Sequence, residues 1–140
     1  MEYSFSKRSM ANLSTCHVRL QALALTVIKK RDCSVIEGFR DEYKQNELYK
    51  ENLTQLKYPD SLHNHIPSKA IHLVPYPYPE FNSDDPEIKR KAYAEQYYFA
   101  GYVMAKAEEI GVDIRWGGDW DRDNNLQNNK FDDLCHFELI

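Results

Sequence analysis

The segment between Asp84 and Gly111 constrains the fold most, because it carries the signals of one long helix. Asp84 or Asp85 can cap its start, Pro86 occupies a preferred first-turn position, and Gly111 can end it. Between these signals, apolar residues recur at helical spacing and predict one buried stripe. The stripe consists of Ile88, Ala92, Phe99, Val103, Ala107 and Ile110.

The other periodic segments mix helices and strands without a regular β-α-β alternation. Helices are predicted from Lys7 to Arg31 and from Asp41 to Asn52. Short apolar runs predict four strands, at Ser34–Phe39, Ala70–Val74, Val112–Trp116 and Leu134–Leu139. Polar loops fill residues 53–69 and 117–130. This order predicts an α+β fold with a mainly antiparallel sheet.

Composition excludes several classes of function. The chain has 140 residues, of which 42% are hydrophobic, and this suits one globular domain with a real core. A net charge of −4 without a basic patch argues against nucleic acid, and no apolar run is long enough to insert into a membrane. Residues 1–10 lack a secretory signal, and three cysteines without a C-x-x-C pair indicate reduced thiols. We expect a monomer.

The histidines are the first candidates for chemistry. His63, His65, His72 and His136 lie in predicted strands or on loops that lead to them. A catalytic zinc site usually has three protein ligands and a water, and imidazole is a common ligand. Asp133 precedes His136 by three residues, and an acid beside a metal-activated water can transfer its proton. These residues alone leave open whether the histidines bind metal or lie at the surface or in the core.

Four segments, in the same order, resemble the VanY-like zinc peptidases. His63 to Pro77 resembles the first metal-binding segment of that family, Ser-x-His-x-x-Gly-x-Ala-x-Asp, and Asp133 to Glu138 resembles the second, Asp-x-x-His-x-Glu. Arg115 to Trp120 is similar to a Trp-Gly-Gly-Asp-Trp stretch, and Glu37 to Tyr49 to a Gly-aromatic-Arg...Gln...Leu-Tyr segment. The family contains D-alanyl-D-alanine carboxypeptidases and L-alanyl-D-glutamate endopeptidases.

The resemblance implies a Hedgehog/D-Ala-D-Ala peptidase-like fold and assigns roles to particular residues. With Ala70 holding the register, His65, His72 and His136 fall on the positions of the zinc ligands. Asp133 falls on the general base, and Arg40 on an arginine that positions substrate or stabilises an oxyanion. Trp116 is a candidate for the wall of the substrate cleft, with a place in the core as the alternative.

Position 72 departs from the family, which has an aspartate ligand there. Three accounts stay open. His72 binds zinc and completes a three-histidine site, or His63 replaces it as the third ligand, or the metal is lost. Imidazole reaches farther than a carboxylate, so the first account carries a risk of a misplaced metal.

The resemblance implies a phage endolysin that cuts the L-Ala-D-Glu bond of the peptidoglycan stem peptide, formed by a single catalytic domain over residues 1–140 without a separate wall-binding domain. Two alternatives are a D-Ala-D-Ala carboxypeptidase and a non-catalytic wall-binding or virion protein. An endolysin without a secretory signal would be made in the host cytoplasm and reach the wall through a holin-type lesion.

A second cation site is predicted more weakly. Asp121, Asp123 and Asn125 alternate as the first ligands of a calcium loop do. Leu126 replaces the glycine of the sharp turn, however, and Asp132 replaces the bidentate glutamate. A solvated, turn-rich loop is the alternative.

Overall fold

A computed structural model describes residues 2–140. In this part of the chain, four α-helices pack with one sheet of four strands. The helices are α1 Lys7–Ser14, α2 Val18–Ile28, α3 Glu42–Lys50 and α4 Pro86–Ile110; the strands are β1 Cys33–Glu37, β2 Ala70–Pro75, β3 Ile114–Gly117 and β4 Asp133–Leu139. The strand order is β1-β2-β4-β3, and each neighbouring pair is antiparallel. The α+β prediction is confirmed.

Helix α4 begins and ends as its sequence predicts. The Asp85 carboxylate accepts hydrogen bonds from the first backbone N–H groups, and Gly111 ends the helix with a φ of 73°. The buried stripe is shorter than predicted, because Ile88 and Ile110 at its two ends are exposed. No helix in the described part of the chain is long and apolar enough to cross a membrane.

The single helix predicted from Lys7 to Arg31 is wrong, because the chain turns between α1 and α2. The Cys16 backbone forms a bridge with Ser68, and the His17 N–H donates to the Ser68 carbonyl at 2.8 Å. The His17 ring then caps α2 by accepting a hydrogen bond from the Arg19 N–H at 3.1 Å. This break attaches the segment before β2 to the helical layer.

The strand register gathers polar side chains from all four strands. His72 on β2 lies opposite His136 on β4 and also pairs with Glu37 on β1. On the other side of β4, Arg115 of β3 lies opposite Glu138. Side chains of directly opposed residues on antiparallel strands lie about 5 Å apart. The register alone therefore places histidines, carboxylates and an arginine close together.

Two glycines make a matched test of the packing around β4. A methyl group on Gly117 would overlap the Asp133 backbone, whereas one on Gly101 in α4 would meet nothing within 4 Å. We expect Gly117→Ala to lower the free energy of unfolding by about 1–3 kcal/mol. Gly101→Ala should raise it by up to about 1 kcal/mol, because alanine favours the helix. Urea denaturation of both variants measures the difference, and equal midpoints would contradict this packing.

Candidate active site

Three histidine rings converge on one point at the sheet. The distance from His63 Nε2 is 3.1 Å to His72 Nε2 and 3.2 Å to His136 Nδ1. His72 Nε2 and His136 Nδ1 are also 3.2 Å apart. His63 and His136 are buried and His72 is largely so. The three nitrogens therefore form a nearly equilateral triangle shielded from bulk water.

The hydrogen bonds of the outer ring nitrogens determine the tautomers of His63 and His136. His63 Nδ1 lies 2.7 Å from the Gly38 carbonyl and must donate to it, because a carbonyl only accepts. His136 Nε2 donates in the same way to Glu138 Oε1 at 2.7 Å. The Nδ1 of His72 faces Glu37 Oε1 at 3.8 Å. The outer hydrogen bonds of His63 and His136 thus leave His63 Nε2 and His136 Nδ1 to face the triangle.

Burial disfavours protonation of His63 and His72. Loss of hydration, with the neighbouring His136 second, lowers the pKa of His63 to about 3. Burial also lowers the pKa of His72 well below its ordinary value, followed by the effect of His63. A neutral imidazole nitrogen can be a metal ligand, so the low pKa values of His63 and His72 are compatible with a cation bound among the three rings.

The triangle has the dimensions of a zinc site. Zinc binds histidine nitrogen at 2.0–2.1 Å, and a tetrahedral arrangement separates two such nitrogens by about 3.3–3.4 Å. The observed separations of 3.1–3.2 Å are within about 0.2 Å of that range. His72 therefore fits a three-histidine zinc site despite its longer reach than aspartate. Acceptors on the outer nitrogens are also typical of metal-binding histidines.

The structure does not bring His65 into this group, and His63 takes the place predicted for it. His65 is exposed, whereas His63 is 1% exposed. A 3-10 turn at Leu62–Asn64, capped by Ser61, directs the His63 ring inward. The prediction counted back from Ala70 to the ligand histidine without a gap. Between His63 and Ala70, however, this chain has two residues more than the family pattern has between its histidine and its alanine. The missed signal is Ser61-x-His63, which matches the Ser-x-His of the family pattern.

Asp133 lies beside the triangle without joining it. Its Oδ2 is 3.7 Å from His136 Nδ1 and 3.8 Å from His72 Nε2. Burial is the largest influence on this carboxyl group and raises its pKa. An acid with a raised pKa next to the reacting centre can both accept and return a proton.

Arg40 lines the cleft and supports the histidines. Its guanidinium donates to Glu37 Oε1 from Nε at 3.1 Å and to Gln45 Oε1 from Nη1 at 3.0 Å, and Nη2 also pairs with Glu37. Its backbone N–H donates to the His63 carbonyl at 2.8 Å. Arg40 therefore fixes the His63 turn in addition to placing positive charge in the cleft.

Trp116 is a core residue, and Trp120 takes the cleft position predicted for it. Trp116 is buried, donates from Nε1 to the Leu134 carbonyl at 2.7 Å and packs edge-on against Tyr97. The Trp120 ring lies 5.3 Å from the His136 ring and lines the cleft. Both tryptophans belong to the same motif, but only the second follows the end of β3 at Gly117.

The histidines open into a cleft of about 1030 Å³. One wall comes from α3 and the loop that follows it, including Lys44, Leu48 and Leu56. The opposite wall comes from Trp120 and the loop before β4. The polar groups at the histidine end and the apolar side chains of the wall suit an extended peptide.

Two residues of the predicted second cation site, Asp121 and Asp123, lie close together, with Asp119 beside them. Asn125 uses its side-chain oxygen to accept a bond from the Gln127 N–H at 3.1 Å. Asp123 bonds to the Asn125 N–H and the Asn128 amide, and the carboxylates that lie close together are Asp119, Asp121 and Asp123. These local bonds account for a turn-rich loop. Calcium binding remains an untested prediction.

Glu138→Ala tests the support of the histidine cluster. The change removes the acceptor of His136 Nε2, so the ring loses the bond that fixes its tautomer. We expect zinc affinity to fall roughly 10- to 100-fold, as for other lost partners of metal-binding histidines. Competition with a chelator measures it. Glu109→Ala, which removes an exposed carboxylate paired with Lys106, is the control and should leave the affinity unchanged.

Comparisons with known proteins show which family and which fold the chain resembles. The family model of the phage L-alanyl-D-glutamate peptidases matches residues 1–140. Among solved structures, the L-Ala D-Glu endopeptidase ChiX of Serratia marcescens has a similar fold: the TM-score is 0.66 and the identity 24%, over 99% of this chain and 92% of that one. Comparison with curated proteins found no match. Because the family model spans every element that builds the cleft, the chain belongs to the phage L-alanyl-D-glutamate peptidases.

Proposed function

We propose that this peptidase hydrolyses the L-Ala-D-Glu bond of the peptidoglycan stem peptide with zinc held by His63, His72 and His136. The observation that carries the proposal is the convergence of three imidazole nitrogens at 3.1–3.2 Å from one another. When bound at such a site, zinc polarises a carbonyl group and makes water a nucleophile near neutral pH. His63, His72 and His136 would supply the three protein ligands that are usual in a catalytic zinc site.

Asp133 is the general base in this proposal. The attacking water enters on the cleft side, where Oδ2 lies 3.7 and 3.8 Å from two of the histidine nitrogens. Asp133 accepts a proton from that water and returns it to the departing amine of the glutamyl residue.

Arg40 and Trp120 orient the substrate. The Arg40 guanidinium is held rigidly by Glu37 and Gln45, so its positive charge is preorganised beside the carbonyl oxygen on which negative charge develops. Trp120 shields one side of the His136 ring and narrows the cleft. Both side chains favour a peptide backbone laid across the three histidines.

The cell wall is the place of action of this family of peptidases. We infer that the protein is made in the host cytoplasm and passes the inner membrane through a holin-type lesion. The match to a family of phage peptidases supports synthesis in a host cell.

Digestion of purified peptidoglycan tests the proposal. Protein stripped with a chelator should be inactive, and about one equivalent of zinc should restore it. Mass spectrometry should then find stem peptides that begin with D-glutamate. Release of D-alanine alone would indicate a carboxypeptidase, and zinc far below one equivalent with no products would indicate a non-catalytic protein. Either result would overturn the proposal.

A further inference from the structure

We propose that Arg115 binds the free carboxylate of the substrate's glutamyl residue. This assignment rests on the L-Ala-D-Glu specificity and names a recognition residue for it. Glutamate has one amine and two carboxyl groups. The amine belongs to the bond that is cut, and one carboxyl group continues the peptide. The other carboxyl group therefore stays free, within a few bonds of the scissile nitrogen.

The cations of the cleft differ in whether they already have a close acceptor. Arg40 and Lys44 both form ion pairs with Glu37, so donors of both side chains are already engaged within the protein. Arg115 has only a distant partner, because its Nη1 lies 4.0 Å from Glu138 Oε2. Its Nε is buried and has no acceptor among the described residues. The Arg115 guanidinium therefore keeps unused hydrogen-bond donors.

Arg115 is also connected to the histidine cluster through Glu138. Arg115 lies opposite Glu138 in the β3–β4 register, and Glu138 forms a hydrogen bond with the His136 ring. The Arg115 side chain is 38% exposed and lines the cleft. One carboxylate thus separates the guanidinium from a proposed zinc ligand. A charged group of the substrate near the scissile nitrogen would contact the Arg115 guanidinium in the cleft.

Guanidinium chemistry suits this ligand. Arginine stays charged and presents a planar set of N–H donors that matches a carboxylate. Lys130, another cation that lines the cleft, is exposed on the loop before β4. Its long flexible side chain offers charge without a fixed direction. The fixed position on a strand favours Arg115 as the recognition residue.

Two synthetic peptides test the assignment, one with the free glutamyl carboxylate and one with the carboxamide in its place. The zinc-loaded wild-type protein should cleave the carboxylate peptide with a kcat/KM roughly 10- to 100-fold higher, the effect of one hydrogen-bonded charge. Arg115→Met should lose this preference and cleave the two peptides about equally. Lys130→Met removes a positive charge from the same cleft and should keep the preference.

A merely structural role for Arg115 gives a different result. If the residue only positions Glu138, Arg115→Met would slow both peptides by the same factor and keep the preference, which would overturn the assignment. A wild-type protein without any preference would also overturn it, whether or not the variant folds. If the wild-type protein cleaves neither peptide, the proposed function fails and the assignment fails with it.

Discussion

His63→Ala should abolish zinc binding and peptidase activity together, whereas His65→Ala should leave both close to the wild-type level. The two histidines are two residues apart, but only His63 directs a nitrogen to the triangle with His72 and His136. His65 is exposed. Loss of a direct ligand should cost more than the roughly 10- to 100-fold expected for a lost outer partner.

Zinc content after dialysis and the rate of peptidoglycan digestion measure the effect of these two substitutions. His63 is also buried in the fold, so circular dichroism should accompany both measurements. If His65→Ala loses zinc and His63→Ala keeps it, the ligand set predicted from the ungapped family register is correct. The turn that directs His63 inward would then be wrong.

Asp133→Asn should lower kcat by roughly 100- to 10,000-fold while zinc stays bound. The amide preserves the shape of the side chain but cannot accept a proton from water at neutral pH. Asp133 is 3.7–3.8 Å from the nearest histidine nitrogens, too far for it to be essential to their geometry. Zinc content and single-turnover rates of a peptide substrate separate the two properties.

Asp132→Asn is the matched control for this substitution. The neighbouring carboxylate is exposed and accepts a bond from the Asn129 amide at 2.7 Å. Its variant should keep most of the wild-type kcat. An Asp133→Asn protein that loses its zinc would show that Asp133 is a ligand, and one with normal kcat would remove Asp133 from proton transfer.

Much of the fold could be predicted because its signals are local. Asp85, Pro86 and Gly111 mark the bounds of α4, and the four strands lie close to the predicted apolar runs. The break between α1 and α2 could not be predicted in this way. It depends on Ser68, which is about fifty residues away in sequence and bonds to the Cys16–His17 backbone. Periodicity within α1 and α2 contains no information about that contact.

The predictions for the metal ligands divide in the same way: those for histidines on strands agree with the structure, and the one for a histidine outside the strands does not. His72 and His136 lie on strands, where the register places them directly opposite each other. His63 lies on a turn, and the two extra residues before Ala70 shift the family pattern along the chain. Trp116 and Trp120 differ because one belongs to β3 and the other to the loop after it. Loop length and loop direction thus account for both corrections.

Anomalous diffraction at the zinc absorption edge, from crystals of the zinc-loaded protein, tests the central claim most directly. We predict one strong peak, at about 2.0–2.1 Å from His63 Nε2, His72 Nε2 and His136 Nδ1. The Asp133 carboxylate should lie beside that peak on the cleft side. A zinc ion bound through His65, or no peak among the three buried histidines, would contradict the proposed metal site.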